Sequence, residues 1–175
     1  MRRRDLLFAG LLAPLAAHTS AMHAAAVLRL GLDDAVTRAI AAHSPLPPEQ
    51  RRFTHAGLLV RTATREFVIH ATPDAGVVAQ DWGEFCGHSR DTALFAAPPG
   101  EAARVVARCA AWLGKPFSRR LLWSAPGETY CTRLLAEAIA PEYPWPRMRV
   151  LFYPDPVLHP DALAEKLPQL GWQPA

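Results

Sequence analysis

Cys131 is the residue of this sequence best suited to covalent chemistry. It lies in the run Glu-Thr-Tyr-Cys-Thr-Arg-Leu-Leu, near the start of a helix predicted from about Thr129 to Ile139. The first turn of a helix has unpaired backbone N–H groups and the positive end of the helix dipole, which stabilise a thiolate and can receive the oxyanion of a tetrahedral intermediate. The position therefore indicates a candidate nucleophile, although many buried cysteines in helices have no such role.

Two histidines upstream, His55 and His70, are candidate partners for this thiol. They lie in two short apolar runs around a brief polar break, a pattern that predicts a β-hairpin with both strands buried on both faces. If the turn is centred on Thr62 and Ala63, the two histidines lie directly opposite each other on one face, whereas a slip of one residue separates them. A nucleophile, a base and an orienting group would then form one cluster. The alternative for each histidine is a hydrogen-bonded strand residue.

The elements that position these residues predict an α+β fold. The chain of 175 residues is half hydrophobic, which is enough for one core and too short for two ordinary domains. We expect a small antiparallel sheet or half-barrel that carries His55 and His70 and packs against the helix beginning near Cys131. The other predicted elements are helices over Asp33–Ala42, 102–113 and Asp161–Leu167, a short helical or looped piece over Asp81–Phe85, and strands over Val77–Ala79, Thr92–Ala96 and Arg147–Tyr153.

The N-terminal segment predicts export. Arginines at positions 2 to 4 precede an apolar run from Leu6 to Ala17 and small residues through Ala26, which is typical of a signal peptide over residues 1–26 followed by one domain over 27–175. Cleavage could follow Ala21 or one of the alanines at 24 to 26. The pair Arg3-Arg4 also resembles a twin-arginine signal, and the apolar run is short for a permanent membrane anchor, the weaker alternative. We expect a periplasmic protein with no stable membrane span after cleavage.

Charge and cysteine content limit the partners. Three of the basic residues belong to the signal segment, so the mature chain is close to neutral; its remaining basic residues are scattered, and no nucleic-acid partner is expected. A Cys86–Cys109 disulfide would leave Cys131 as the free thiol, and the alternative is that both are small buried residues.

Metal and cofactor sites are not expected. His55, His70, Cys131 and His88 could in principle bind zinc, but no two of them have the short spacing of common zinc motifs. The sequence also has no Gly-rich phosphate loop and no Gly-x-Ser-x-Gly motif.

Four short motifs carry a family resemblance that covers roughly Asp33 to Leu163. In order and spacing they resemble the circularly permuted papain-like hydrolases related to the NlpC/P60 group, the YiiX and YaeF type amidases. The motifs are Thr54-His55-Ala56-Gly57-Leu58, Val68-Ile69-His70-Ala71, Leu113-Gly114-Lys115-Pro116-Phe117 and Tyr130-Cys131-Thr132-Arg133-Leu134-Leu135.

The resemblance implies a role for each site residue. His55 corresponds to the general base, which precedes the nucleophile Cys131 in permuted order. His70 corresponds to the third polar residue, where many relatives have glutamate and the related lecithin:retinol acyltransferase group has a second histidine. Tyr130 either donates to the oxyanion or packs, and Arg133 either contacts an acidic group of the substrate or is solvated.

The resemblance further implies acyl transfer to water. The first expected substrate is an amide of a cell-envelope peptide, and the second is a lipid ester or lipid acyl transfer. A non-catalytic envelope-binding module is the alternative from another functional class. Specificity is expected in the loops around Trp82, Phe117, Trp123 and Tyr143.

Overall fold

The computed structural model describes residues 22–151 and 153–175. The strands are β1 (His23–Gly31), β2 (His55–Arg61), β3 (Glu66–Thr72), β4 (Gly76–Asp81), β5 (Ser89–Ala96), β6 (Arg147–Met148), β7 (Val157–Leu158) and β8 (Gln173–Pro174). The α-helices are α1 (Ala35–Ala42), α2 (Trp82–Gly87), α3 (Ala102–Ala110), α4 (Cys131–Ile139) and α5 (Pro160–Lys166), with short 3-10 helices at Pro48–Gln50 and Pro168–Leu170. In this part of the chain, six strands form one antiparallel sheet in the order β4-β3-β2-β1-β5-β8. The predicted α+β class is confirmed.

The sheet is buried on both sides, which explains the continuous apolar runs of β2 and β3. Successive side chains of a strand point to opposite faces. One face, which we call the helix face, carries residues such as Leu28 and Leu58 and packs in the main core with α3 and α4. The other, which we call the α2 face, carries Val27 and Leu59 and packs against Phe85 of α2. Both predicted strands are therefore buried on both faces, as expected.

The register of the β2–β3 hairpin differs from the expected one. Leu58 pairs with Ile69 rather than with Phe67, because the turn over Thr62–Arg65 is longer than predicted and is closed by a bond from Thr62 N to Arg65 O of 2.9 Å. The expected register was wrong by two residues. Since side chains alternate with a period of two, a shift of two residues leaves every side chain on its expected face.

Strand β1 is the element that the sequence analysis did not predict. It pairs with β2 on one side and β5 on the other, at the centre of the sheet. Ala24, Ala25 and Ala26, taken as the end of the signal peptide, are buried in the sheet. The described fold therefore includes residues 23–26, which the sequence analysis placed in the signal peptide. The remainder of the signal-peptide prediction, over residues 1–21, lies outside the described residues.

A buried carboxylate fixes the chain just before β2. Asp161, near the start of α5, accepts hydrogen bonds from the backbone N–H groups of Arg52 and Phe53 at 3.2 and 2.8 Å and from the Ser44 hydroxyl at 2.5 Å. The next residue, Thr54, donates its N–H to Arg29 O at 2.9 Å. His55 therefore follows a segment whose backbone donors are all bonded within the fold.

The later elements agree with the prediction except in length. Helix α3 ends at Ala110, three residues short of the expected end, and Gly114 follows with a positive φ of 78°. The strand expected over Arg147–Tyr153 is reduced to β6, which pairs with β7 in a separate small sheet. Within the described residues, no helix combines the length and the apolar character needed to cross a membrane.

The position of β1 predicts where the mature chain can begin. A chain starting at Met22 keeps all of β1, whereas a chain starting at Val27 loses the pairing of Ala24–Ala26 with both neighbouring strands. We expect the first to unfold cooperatively on heating and the second to show no cooperative transition, because unpaired backbone groups of β2 and β5 would remain in the core. Circular dichroism during thermal unfolding measures the difference. Equal midpoints for the two chains would contradict it.

Candidate active site

Cys131 is the first residue of α4, as the sequence predicts to within two residues. Tyr130 is the N-cap residue with extended backbone, φ −130° and ψ 168°, and its side chain makes no capping bond. The first-turn N–H groups are therefore not occupied by a side-chain cap. Leu134, Leu135 and Ile139 hold the helix on the helix face of the sheet through the main core.

The Cys131 thiol lies against the backbone at the start of β2. The backbone N–H groups of Ala56 and Thr132, together with that of Cys131 itself, lie near the sulfur and lower the pKa of the thiol. The ladder between β2 and β3 ends at Leu58 and Ile69, so the Ala56 N–H lies beyond its last pair. The nucleophile candidate and the residue after His55 are thus in direct contact.

Burial affects the pKa of the Cys131 thiol more than the nearby backbone N–H groups do. The residue is partly exposed, but protein surrounds its thiol, and this burial raises the pKa of Cys131 above the ordinary value despite the backbone bonds and the nearby charge of Arg29. The expectation that the helix start yields a stable thiolate is therefore corrected. The N–H groups are in place, and the resting sulfur is a neutral thiol.

His55 and His70 are hydrogen bonded to each other. The Nε2 atom of His55 lies 2.8 Å from the Nδ1 atom of His70, and the ring planes are nearly perpendicular at 85°. The expected contact is present although the register is shifted, because both residues remain on the α2 face as diagonal neighbours. The third polar residue therefore reaches the proposed base.

Gly57 explains how His70 comes so close. A Cβ at residue 57 would lie 2.6 Å from Cγ1 of Val68 and 3.1 Å from Cβ of His70. Distances this short require the neighbours to move, so only glycine leaves room for the two β3 side chains. The glycine of the His-x-Gly motif is thus a packing requirement of the histidine pair.

The tautomers follow from the bond between the rings. If His55 is to accept a proton at Nδ1, its Nε2 must carry hydrogen and donate to Nδ1 of His70. His70 then carries hydrogen at Nε2, an atom that is buried without a hydrogen-bond partner of good geometry. The Gln80 side chain lies beside His70 and favours its protonated form. The pair can therefore work as an oriented neutral base.

Burial keeps both rings uncharged. It lowers the pKa of His55 well below the ordinary value, and the positive charges of His70 and Arg29 act in the same direction. Burial, with a further effect of Arg29, lowers the pKa of His70 to about 4. At neutral pH burial thus favours the uncharged forms of the thiol and of both imidazoles.

Arg29 is the residue of this site that the sequence analysis missed. It pairs directly with His55 across the β1–β2 ladder, so Arg29, His55 and His70 form a polar row over three neighbouring strands. The Phe85 ring of α2 covers the row, with its centroid 4.3 Å from the Arg29 guanidinium carbon and 5.1 Å from the His70 ring. The available signal was an arginine inside an apolar segment, which the signal-peptide assignment partly concealed.

Tyr130 packs, which is the second of its two expected roles. The side chain is buried, and its hydroxyl accepts a bond of 3.4 Å from the Leu158 N–H. Burial raises its pKa, so the hydroxyl stays protonated. The structure gives no contact by which Tyr130 serves the oxyanion.

Arg133 has neither of its expected roles. Its Nη1 group donates to the carbonyl oxygens of Leu122, Ala125 and Glu128 at 2.9 to 3.0 Å, and Nε pairs with Glu137 at 2.8 Å. The side chain is buried, not solvated, and these bonds leave it holding the loop that leads to Cys131. Arg133 therefore stabilises this loop and is not available to contact a substrate.

The other cysteines are free, and the sheet separates them. Cys109 lies in the main core on the helix face, whereas Cys86 belongs to α2 on the opposite side. A disulfide between them is therefore absent. The alternative that both are small buried residues holds for Cys109 and is wrong for Cys86, which is partly exposed. Among residues 22–151 and 153–175, no three His, Cys, Asp or Glu side chains form a group that could hold a metal ion.

The aromatic residues expected to set specificity divide between the two faces. Trp82 stacks on Phe85 with centroids 6.1 Å apart, so it borders the polar row. Phe117, Trp123 and Tyr143 pack against the main core, and Trp123 also contacts Tyr130, the residue before Cys131.

Comparison with known proteins supports the fold. No protein-family model matches this sequence, and no curated protein matches it either. Among solved structures, the chain is similar to the metalloprotein yiiX from Escherichia coli O157:H7, described also as DUF1105, with a TM-score of 0.57 and 16% identity over 85% of this chain and 81% of that one. The chain shares the yiiX fold. This confirms the family of folds expected from the four motifs, and at 16% identity the likeness to yiiX extends to the fold alone.

The contact at Gly57 yields a matched pair of variants. Gly57→Ala should displace His70 and lower the rate of Cys131 alkylation, whereas Gly87→Ala in α2, where a Cβ meets nothing within 4 Å, should leave that rate unchanged. Iodoacetamide labelling of each folded variant, resolved by peptide mass spectrometry, gives the two rates. If Gly57→Ala labels like wild type while its His70 nuclear magnetic resonance signals are unshifted, the packing argument is wrong.

The lowered histidine pKa values predict a pH dependence. The His55 imidazole stays neutral as the pH falls from 8 to 6, so the ratio of wild-type to His55→Ala alkylation rates should be constant over that range. At lower pH, where the pH reaches the lowered pKa of His55, the imidazole becomes protonated and can no longer accept the thiol proton, and the ratio should fall. A ratio that already halves at pH 6.5 would show an ordinary histidine pKa.

Proposed function

We propose that this chain is an exported cysteine hydrolase that cleaves an amide of a cell-envelope peptide through an acyl-enzyme on Cys131. The observation that carries the proposal is the contact of the Cys131 thiol with the Ala56 N–H, adjacent to His55, whose ring is hydrogen bonded to His70. Nucleophilic catalysis uses a nucleophile next to a base, and a third group that orients the base. Cys131, His55 and His70 are the candidates for these three roles. Export follows from the N-terminal pattern of the sequence.

In the first half of the reaction, His55 accepts the thiol proton as the sulfur attacks the carbonyl carbon. The N–H groups at the start of α4 and at Ala56 are the donors available to the developing negative charge. Since the resting thiol is neutral, the proton transfer and the formation of the S–C bond proceed together. The product of this step is a tetrahedral intermediate next to a His55 imidazolium.

In the second half, the imidazolium returns the proton to the leaving amine as the C–N bond breaks. The acyl group then remains on Cys131, and a water molecule deprotonated by His55 attacks it to release the acid and the free thiol. His70 holds His55 in the required tautomer through the 2.8 Å bond. As a neutral ring, it compensates the imidazolium less than a carboxylate would.

The description of yiiX as a metalloprotein does not lead to a metal step here. The described residues hold no group of three suitable side chains, and Nε2 of His55 is already bonded to His70. A zinc site usually needs at least three protein ligands. The residues present therefore do not fit a metal, and the proposed reaction uses none.

Two other functions are compatible with the same fold. A lipid ester hydrolase or acyltransferase would use the same thiol and base on a different acyl donor, and a binding module would need neither group. Incubation of envelope extracts with wild type and Cys131→Ala distinguishes them, because loss of peptide amides, loss of lipid esters and no change are separate outcomes of one mass-spectrometric comparison.

The enzyme proposal predicts a base-dependent thiol. Cys131 should react with iodoacetamide at pH 7 faster than free cysteine, and His55→Ala should lower that rate by about 100-fold, the lower range for general base catalysis. Labelling of Cys86, the partly exposed thiol of α2, serves as the internal control and should not change. A Cys131 rate no faster than that of free cysteine, together with no effect of His55→Ala, would falsify the proposal.

A further inference from the structure

Arg29 is a half-buried cation in the polar row that the proposed reaction does not use. Its Nη1 group donates to the Phe85 carbonyl at 3.0 Å, and the guanidinium lies over the Phe85 ring. These two contacts fix the side chain beside His55, its pairing partner on β2. The charge is therefore held in one place, within reach of the nucleophile and the base.

Arg29 has no anionic partner among the described residues. Other arginines of the fold have one, as in Arg61–Glu66 and the buried Arg133–Glu137 pair. Burial lowers the pKa of Arg29, which reflects the cost of removing this charge from water. A cation placed so close to the reacting groups without a counter-ion calls for a ligand that supplies one.

The hydrogen bonds of the Arg29 guanidinium also indicate that it can bind an anionic ligand. The Nε atom is buried without a partner, and no bond joins Nη2 to a described residue. The N–H bonds of Nε and Nη2 project from one edge of a guanidinium, the edge that carboxylates bind through two oxygens. Because Nε is enclosed, a ligand reaches Nη2 first.

The charge of Arg29 favours the ionised sulfur of Cys131 but opposes protonation of the proposed base. It disfavours the imidazolium forms of both His55 and His70, and His55 has to become an imidazolium during attack. An anion at Arg29 would cancel much of this repulsion. An anionic substrate would thus bind and, in the same contact, make the base more effective.

We propose that Arg29 binds a carboxylate of the substrate, next to the amide that Cys131 attacks. This inference rests on the proposed function and narrows it to peptide amides with a free carboxylate near the scissile bond. A carboxylate suits the site better than a phosphate dianion, because the single half-buried cation balances one negative charge. Phe85 and Trp82 supply the apolar wall beside this subsite.

Two alkylating reagents of nearly equal size test the charge directly. Iodoacetate and iodoacetamide both transfer a two-carbon group to the sulfur with loss of iodide, and they differ in whether a carboxylate or an amide approaches the site. For Cys131 in the wild type, the iodoacetate to iodoacetamide rate ratio should exceed that of free cysteine by about ten-fold, as expected for one charge-assisted contact. Peptide mass spectrometry separates Cys131 from the other cysteines.

Variants assign the effect to Arg29. Arg29→Gln should reduce the ratio to that of free cysteine, Arg29→Lys should retain part of it, and Arg61→Gln at an exposed pair should leave it unchanged. If Arg29→Gln does not fold, the wild type still gives an answer, because acetate should compete with iodoacetate at Arg29 and lower the iodoacetate to iodoacetamide ratio of Cys131 in a saturable manner. Chloride at the same ionic strength is the control.

The outcomes separate this inference from the enzyme proposal. A reactive, His55-dependent Cys131 whose reagent ratio equals that of free cysteine and does not change with acetate overturns the role of Arg29 and leaves the hydrolase proposal standing. A Cys131 that is unreactive toward both reagents overturns the hydrolase proposal itself. Equal loss of both reagent rates in folded Arg29→Gln shows a general electrostatic or structural role and also rejects the carboxylate subsite.

Discussion

The hydrogen bond between His55 and His70 is the interaction on which the site depends. It needs two neighbouring strands that bring diagonal side chains to 2.8 Å, and the missing side chain of Gly57 supplies the space. The ladder between the two strands ends next to this point, so the Ala56 backbone can lie beside the Cys131 thiol at the start of α4. Residues 55–58 of β2 therefore provide one histidine of the pair, the glycine that makes room for the other, and the end of the strand pairing.

Burial is the largest influence on the pKa values of the groups at this site. The sheet is covered on both faces, and Phe85 covers the row itself, so the charged forms of thiol and imidazole are both disfavoured. Burial makes the ionised form of the Cys131 thiol less stable. The start of α4 and several backbone N–H groups stabilise that form, but by less than burial destabilises it. The uncharged thiol and imidazole are thus favoured over a resting thiolate–imidazolium pair.

The sequence predicted the parts of the site that depend on periodicity. The two histidines were expected on one face, and they remain there although the register is shifted by two residues, because the side-chain period is two. The helix start at Cys131 followed from local signals. By contrast, β1 is rich in alanine and adjoins the apolar N-terminal run, so pattern alone could not separate a central strand from the end of a signal peptide. Arg29 was missed with it, and the burial of Arg133 depends on a loop whose path no periodicity describes.

The absence of a carboxylate at position 70 has a consequence for the neighbouring strand. The family resemblance places glutamate there in many relatives, and a glutamate in this row could offset the charge of Arg29 within the protein. With His70 in its place, the described part of the row contains one cation and no anion. An anion that arrives with the substrate would restore the missing charge beside the base only when a substrate is bound. Arg29 and His70 are therefore best understood together, because the neutral residue leaves the charged one available for a ligand.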